Sequence, residues 1–387
     1  MSKKRSADIG LQFLQNIGFE RISGKYGLRD KWVQLFGKER ADQLQAEFLR
    51  LDEGTKEFYE FKYSDPLLNR SFDEFYDGDI IRKACNYVAE HKDCFGDVIL
   101  EAGCGSGYMT VFLAQTFPES KIISIDRSEG AIRAAREMAA KYGVQNVSFE
   151  LGELKDVSAK ADTIFCMRTI QENIDESAIP FSGEPIIAQF NEFRSITGEY
   201  TDSLISRLNG SGSLVVFERI RHDPLMCGWL LGLNDKGCGI SKDSYSEFTC
   251  NEAGGESVFQ AFICRMGRKN EEQDIVSLWY ESLGVNHEGK SELKGWSALS
   301  YLNENAGKMI RGVRFYGENG IQVGRLAAYT DIDDDSKIYC LKALSGQDVL
   351  LWSYGVELKE ELLNEMQNII DINVNNGLNC KEITDEG

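Results

Sequence analysis

One stretch of the chain decides the fold: Asp97-Val-Ile-Leu-Glu-Ala-Gly-Cys-Gly-Ser-Gly107. It begins with the apolar run Val98-Ile-Leu100, which is typical of a buried parallel strand. It ends with glycines at alternate positions, and a helix-like segment, Tyr108 to Phe117, follows. Glycine adopts backbone angles that other residues resist, and it lets a ligand approach the main chain closely. The order of strand, glycine turn and helix therefore predicts the entry to a nucleotide-type site.

Further strands follow this stretch along the chain. Lys121-Ile-Ile-Ser-Ile-Asp126 ends in a carboxylate 23 residues after Gly103, about the separation expected for an acid that accepts hydrogen bonds from ribose hydroxyls. Three more strand-like runs lie at residues 146–151, 161–167 and 212–218, with helical segments between the runs. This alternation predicts an α/β fold with a doubly wound sheet.

The run Glu101-Ala-Gly-Cys-Gly-Ser-Gly107 resembles motif I of the class I S-adenosylmethionine-dependent methyltransferases, a Rossmann-like superfamily. The resemblance covers roughly residues 80 to 267. It implies a seven-stranded methyltransferase-type sheet and S-adenosylmethionine as cofactor, with S-adenosylhomocysteine as product. A dinucleotide-binding turn is the nearest alternative, but its last glycine or alanine is replaced here by Tyr108. A structural turn without a ligand is the other alternative.

The same resemblance assigns the cofactor-binding residues. Asp126 matches the ribose-binding acid, and Glu153 stands where an acid after the third strand contacts the adenine amine. The remaining predicted cofactor contacts are Glu101, Gly103, Gly105, Gly107, Arg127 and Arg168.

The acceptor should lie where the fourth and fifth strands end, because ligands of open α/β sheets bind outside the carboxyl ends of the strands. Glu172 and His222 are the candidate catalytic bases there. Arg168 and Arg219 are candidate substrate ligands, since guanidinium groups bind carboxylate or phosphate in bidentate fashion. Two alternatives remain: the arginines pair with acids such as Glu172 and Glu218, or catalysis rests on proximity alone.

Residues 1–95 read as helical and rich in aromatic side chains. The resemblance suggests that this segment forms a lid over the cofactor, with Tyr59, Tyr63 and Tyr76 lining the substrate cavity. The alternative is ordinary core packing. Residues 96–267 are then the methyltransferase domain, and residues 268–387 are predicted to form a small α+β accessory domain.

Composition bounds the partners and the compartment. The chain has 387 residues and a formal net charge of −19, which predicts that it does not bind nucleic acid tightly. Its ten cysteines are scattered without a Cys-x-x-Cys pair, so no metal site is expected and a reducing compartment is favoured. With neither a signal peptide nor a membrane-spanning run recognised, the expected location is the cytoplasm, without membrane contact.

These observations together predict an enzyme: a methyltransferase that transfers a methyl group by in-line displacement to a small-molecule acceptor. One alternative is a protein methyltransferase that uses the C-terminal domain to recognise its substrate. The other is a non-catalytic scaffold that binds the cofactor. The oligomeric state does not follow from the sequence.

Overall fold

The computed structural model describes most of the chain: residues 8–23, 26–51, 55–174, 186–219, 224–252, 255–282, 291–317, 320–344 and 349–383. The chain divides into two compact units. The first unit comprises residues 1–174, 197–219 and 233–270, and the second comprises residues 175–196, 220–232 and 271–387. The domain boundaries expected near residues 95 and 267 stay predictions.

The described residues contain helices and strands that alternate through the middle of the chain. The helices are α1 (Ile9–Asn16), α2 (Gly27–Phe36), α3 (Lys38–Phe48), α4 (Lys56–Lys62), α5 (Pro66–Tyr76), α6 (Gly78–Glu90), α7 (Tyr108–Thr116), α8 (Glu129–Lys141), α9 (Ile186–Ile196), α10 (Gly198–Ile205), α11 (Pro224–Asp235), α12 (Glu272–Ser282), α13 (Gly295–Asn305) and α14 (Lys359–Asn375). The strands are β1 (Val98–Ala102), β2 (Lys121–Asp126), β3 (Val147–Leu151), β4 (Ala161–Met167), β5 (Leu208–Glu218), β6 (Cys238–Ile240), β7 (Ser246–Glu252), β8 (Gly255–Met266), β9 (Ser291–Lys294), β10 (Ala306–Tyr316), β11 (Gln322–Asp331), β12 (Lys337–Leu344), β13 (Leu350–Gly355) and β14 (Asn379–Glu382).

The first unit is built on a sheet with the order β3-β2-β1-β4-β5-β8-β6, in which β7 also pairs with β8. Strands β1 to β5 are parallel to their neighbours, and β8 runs antiparallel to β5. This confirms the predicted methyltransferase-type α/β sheet. The sheet has an eighth strand, the three-residue β6, because the twelve-residue β8 is long enough to pair with both β7 and β6.

Helices cover both faces of this sheet. Phe165 on β4 packs in a buried cluster with Ile80 and Val88 of α6 and Val111 of α7. The next residue, Cys166, accepts a hydrogen bond from Tyr200 of α10. Because successive strand residues point to opposite faces, α10 lies on the other side of the sheet from α6 and α7.

Glycine is required at the turn between β1 and α7. Gly107 has a φ of 83°, and a Cβ atom there would lie 2.7 Å from the Cα of Ala135. We expect Gly107→Ala to cost about 2 kcal/mol more in the free energy of unfolding than Gly143→Ala, since the clash adds to a similar backbone cost. Gly143 is the matched control: its φ is 67°, but nothing lies within 4 Å of a Cβ atom. Urea unfolding of both variants makes the comparison, and equal losses would contradict it.

The second unit contains an antiparallel sheet with the order β14-β10-β11-β12-β13-β9. Helix α14 packs on one face, where Leu362 and Met366 join a buried cluster with Ile338 and Cys340 of β12. The intervening Tyr339 faces the other side and contacts Tyr301 of α13. This arrangement confirms the predicted α+β class.

The sequence from Asn373 onward suggests a frayed C-terminal tail, but this expectation is wrong for the described residues. Helix α14 continues to Asn375, and β14 pairs with β10 at the edge of the second sheet. The exposed residues of β14, Asn379-Cys-Lys-Glu382, show no apolar alternation, so their sequence gave no strand signal.

The described N-terminal residues form the six helices α1 to α6, as the predicted helical segment requires. Among the described helices, none combines the length and apolar character that crossing a bilayer demands.

Candidate functional site

The candidate site lies where four parallel strands of the first sheet end. Strands β2, β1, β4 and β5 are neighbours in that order, so their carboxyl ends share one edge. The residues at or just beyond these ends are Asp126, Gly103, Arg168 and Glu218. The topology therefore brings the predicted cofactor residues to the same edge as the residues predicted to face the acceptor.

Asp126 is tied to the glycine turn. Its Oδ2 accepts a hydrogen bond of 2.9 Å from the backbone N–H of Gly105, and its Oδ1 accepts one of 2.9 Å from Ser128. Burial raises the pKa of Asp126, and these two N–H groups oppose the shift. Since a carboxylate has about four acceptor positions, each oxygen can accept a further hydrogen bond.

Glu101 is buried and is the penultimate residue of β1. Its carboxylate accepts a hydrogen bond of 2.6 Å from Ser124 of β2 and another from Thr110 of α7. Burial raises the pKa of Glu101 from 4.5 to about 7. The folded state thus favours the neutral acid, and the stability that this provides is lost as the pH rises through about 7. In this structure Glu101 connects β1 to β2 and α7.

Glu172 connects the strand ends to helix α4. One carboxylate oxygen lies 3.2 Å from Nη2 of Arg127, and the other accepts a hydrogen bond from the Tyr59 hydroxyl. Burial and the Glu172 carboxylate both raise the pKa of Tyr59, so the phenol keeps the proton that it donates. Two predicted site residues, Arg127 and Glu172, are therefore in direct contact.

Arg168 and Arg219 both form ion pairs. Nη1 of Arg168 lies 2.6 Å from Oδ1 of Asp77, and Nη1 of Arg219 lies 3.1 Å from Oε2 of Glu252. Pairing with acids was one of the two predicted alternatives, although the expected acids differed. Arg168 also has a φ of 56°, the one positive value among the described non-glycine residues. Backbone strain of this kind is concentrated at functional sites.

Glu218 organises the loop after β4, a role that the sequence did not suggest. Its Oε1 accepts hydrogen bonds from the backbone N–H groups of Thr169 at 2.6 Å and Ile170 at 3.2 Å, and from the Thr169 hydroxyl at 3.0 Å. Burial raises the pKa of Glu218 to about 7. A carboxylate directly after the apolar run of β5 is the signal that could have assigned this contact.

The predicted substrate-cavity residues Tyr63 and Tyr76 lie in different surroundings. Tyr63 is buried against the glycine turn, since a Cβ atom on Gly105 would lie 3.7 Å from its hydroxyl. Tyr76 instead stacks on Phe72 within the aromatic cluster of the N-terminal helices, with ring centroids 6.2 Å apart. Of the pair, the structure brings Tyr63 to the candidate site.

Of the remaining predicted site residues, Glu153 lies apart from these contacts and His222 cannot be placed. Glu153 follows the edge strand β3 and forms an exposed ion pair of 2.6 Å with Lys155. His222 lies outside the described residues.

A buried ion pair beside the turn was missed. Nζ of Lys62 lies 2.7 Å from Oδ1 of Asp73, and the two side chains are only 13% and 2% exposed. One helical turn before Asp73, Asn69 accepts a hydrogen bond of 3.2 Å from Ser106 of the glycine turn, so this face of α5 adjoins the turn. Burial raises the pKa of Asp73 to about 6, against the effect of Lys62. An acidic residue among Phe72, Phe75 and Tyr76 is the sequence feature that could have predicted this buried ion pair.

A cavity of about 470 Å³ adjoins the same turn. Its lining comes from the N-terminal helices, the glycine turn and α8, and includes Tyr63, Asn69, Ser106, Tyr108 and Arg133. This volume lies in the range of sites that bind small organic molecules.

Comparison with known proteins agrees with this geometry. Residues 95–226 match a family model described as a methyltransferase domain. Malonyl-[acyl-carrier protein] O-methyltransferase of Priestia megaterium is 34% identical over 73 residues, which are 19% of this chain and 26% of the relative. Ribosomal RNA small subunit methyltransferase H of Corynebacterium glutamicum is 38% identical over 58 residues, 14% of this chain and 17% of the relative. The matches thus span about a quarter or less of these relatives.

Among solved structures, magnesium protoporphyrin IX methyltransferase of Synechocystis with bound S-adenosylmethionine has a TM-score of 0.34 and 16% identity. The match covers 62% of this chain and 96% of that one.

The expected partners, a small molecule and no nucleic acid, need correction. A ribosomal RNA methyltransferase is among the relatives, so nucleic acid is not excluded. The expectation failed because net charge does not report how cations are distributed over a surface.

The glycine turn, the strand order and the matched domain agree on one family. Residues 95–226 therefore form a methyltransferase domain of the class I type, and the cofactor of this domain is S-adenosylmethionine.

Proposed function

We propose that this protein transfers a methyl group from S-adenosylmethionine to an acceptor held at the strand ends of the first sheet. The observation that carries the proposal is the link between the glycine turn and Asp126, which joins the two elements that bind the cofactor in this superfamily. The cofactor supplies a methyl group on a sulfonium, which needs alignment and exclusion of water more than covalent help. The chain's own residues have to provide both.

The residues around the turn suit the two polar ends of the cofactor. Asp126 retains acceptor capacity on both oxygens, which suits a pair of ribose hydroxyls. Asp73 has a buried oxygen, Oδ2, that accepts no hydrogen bond from any described residue. A buried acceptor without a donor is costly, and the ammonium group at the methionine end would satisfy it. Gly105 and Gly103 would let the ligand approach the main chain.

We assign the segment 55–77, which includes α4 and α5, the role of a lid, and Glu172 the role of its latch. Both Glu172 oxygens are engaged, by Tyr59 and by Arg127, so in this closed arrangement Glu172 positions the lid. Its predicted role as general base would require these contacts to open. His222 stays a second predicted base.

The hydrogen bond between Tyr59 and Glu172 leads to a prediction about the rate of cofactor release. We expect Tyr59→Phe to speed the dissociation of S-adenosylhomocysteine about fivefold, since one hydrogen bond to a half-exposed carboxylate is lost, worth about 1 kcal/mol. Stopped-flow fluorescence measures the rate. Tyr245→Phe is the control, because its hydroxyl also bonds a glutamate, Glu247 at 2.9 Å, outside the candidate site. An unchanged dissociation rate in the Tyr59 variant would contradict the proposed role of Glu172 as the latch of the lid.

For the acceptor, we propose a small molecule, because the lid segment is joined to the strand ends by the contacts of Tyr59 with Glu172 and of Asp77 with Arg168. The arginine pairs with Asp77 and Glu252 argue against a strict need for an anionic acceptor, since both cations are already neutralised. A nucleic acid acceptor is the second candidate, favoured by the similarity to a ribosomal RNA methyltransferase.

Transfer of a tritiated methyl group separates these candidates. The purified protein and labelled S-adenosylmethionine are incubated with a cell extract, which is then split into low-mass, nucleic acid and protein fractions. We expect label in the low-mass fraction, and none with Asp126→Ala. Label in nucleic acid would select the second candidate, and label in protein would transfer the acceptor to that class. Cofactor binding without label in any fraction would contradict catalysis.

A further inference from the structure

Three cations form a row across the second sheet. Arg314 on β10 pairs directly with Lys381 on β14 and with Arg325 on β11. Directly paired residues of antiparallel strands project from the same face, and neighbouring strands lie about 4.8 Å apart. We call Lys381, Arg314 and Arg325 the cationic row. It spans about 10 Å on the sheet face opposite α14, because Val313 and Phe315 beside Arg314 pack under that helix.

This row lacks anionic partners within the described part of the chain. No carboxylate there lies within 4.0 Å of the charged nitrogens of these three residues, although the protein has 62 acidic residues. Arg314 and Lys381 are exposed, and Arg325 is partly buried. Like charges directly opposite each other on a sheet are destabilising. The arrangement therefore carries an energetic cost within the folded protein that an external anion would relieve.

Aromatic side chains lie beside the cations on the same face. Nζ of Lys381 lies 5.3 Å from the centroid of the Tyr316 ring, and the Arg325 guanidinium lies 5.7 Å from that of Tyr329. Tyr316 is partly exposed, so its ring is accessible to a ligand. Tyr329 is buried and does not offer a comparable surface. A partly exposed ring next to a row of cations is the combination with which proteins bind single strands: cations contact phosphates, and a base stacks on the ring.

We propose that this face of the second unit binds single-stranded nucleic acid, with the cationic row on consecutive phosphates and Tyr316 against a base. The inference goes beyond methyl transfer and does not depend on which acceptor is methylated. Nucleic acid is favoured over an acidic peptide because the ring offers a stacking surface that a carboxylate side chain does not use. The acidic surroundings predict weak binding with a marked dependence on salt.

Fluorescence anisotropy of the full chain with a labelled 12-nucleotide single-stranded RNA tests the proposal. We expect a slope of log affinity against log salt of about −2 for three phosphate contacts. Arg314→Ala should reduce that slope by about 0.7, and Arg314→Glu should weaken binding at least tenfold. Lys359→Glu is the matched control, since Lys359 is exposed at the start of α14 and outside the row; it should change the affinity less than twofold.

Separate readouts distinguish folding from binding. Relief of like-charge repulsion should leave the melting temperature of Arg314→Ala equal to or above that of the unchanged protein. If Arg314→Glu does not fold, Lys381→Glu on the edge strand replaces it in the same assay. The proposal is overturned if RNA does not bind at 50 mM salt, or if Arg314→Glu and Lys381→Glu both leave RNA binding unchanged. It is also overturned if Lys359→Glu weakens RNA binding as much as the charge reversals in the row do, or if polyglutamate competes as well as unlabelled RNA. Affinity for S-adenosylhomocysteine should stay unchanged in these variants, so failure here is separate from failure of the methyltransferase assignment.

Discussion

Asp126→Ala should weaken S-adenosylhomocysteine binding by about 2–4 kcal/mol, or roughly 30- to 1000-fold, because two hydrogen bonds to a charged acceptor are lost. The substitution also frees the backbone N–H groups of Gly105 and Ser128, which Asp126 now holds at 2.9 Å. Calorimetric titration measures the affinity. The affinity of Asp126→Asn for S-adenosylhomocysteine should lie between those of the unchanged protein and Asp126→Ala, since the amide oxygen still accepts hydrogen bonds.

Asp162 offers a matched control for this substitution. Its carboxylate also accepts a backbone hydrogen bond, from Val98 at 2.9 Å, and a second one from Asn209 at 2.7 Å. It lies near the amino end of β4, at the other end of the parallel strands from Asp126. Asp162→Ala should therefore cost stability and leave cofactor affinity unchanged. An equal loss of affinity in both variants would mean that Asp126 acts through folding alone.

Lys62→Met should lower the free energy of unfolding by about 3–5 kcal/mol, because it leaves Asp73 as a buried charge without its cation. Burial alone would lower the pKa of Lys62, but Asp73, Tyr63 and Asp77 outweigh it and raise that pKa. The pair is thus ionic at neutral pH, with Asp73 titrating at about 6. Urea unfolding at pH 7.5 measures the loss.

The double variant Lys62→Met with Asp73→Leu tests the cause of that loss. Replacing a buried ion pair by apolar residues of similar volume is often neutral, so most of the stability should return. A double variant as unstable as the single one would show that packing of the Lys62 side chain, and not the unpaired carboxylate, is responsible. The double variant should still bind S-adenosylhomocysteine more weakly, since the Asp73 oxygen proposed to accept from its ammonium group is absent.

The first sheet could be predicted because its information is local. Apolar runs such as Val98 to Leu100 specify buried strands, and Gly103 and Gly107 adopt positive φ angles that few other residues adopt. The strand β14 could not be predicted, because its four exposed residues are held by pairing with β10 and not by a pattern of their own. The three-residue β6 depends in the same way on the length of β8.

The site was predictable to the extent that it lies at strand ends. Position after a strand brought Asp126, Arg168 and Glu172 to one edge of the sheet. Their partners come from distant segments, since Tyr59 is 113 residues from Glu172 and Asp77 is 91 residues from Arg168. No local pattern encodes such pairings, and they depend on how the N-terminal helices pack on the sheet.

A crystal structure with S-adenosylhomocysteine tests the central claim most directly. The account predicts both ribose hydroxyls within hydrogen-bond distance of the Asp126 carboxylate, and the ammonium group within hydrogen-bond distance of Oδ2 of Asp73. It also predicts that the ligand lies over the turn at Gly103 and Gly105. Ligand density away from that turn, or a ribose that does not contact Asp126, would contradict the account.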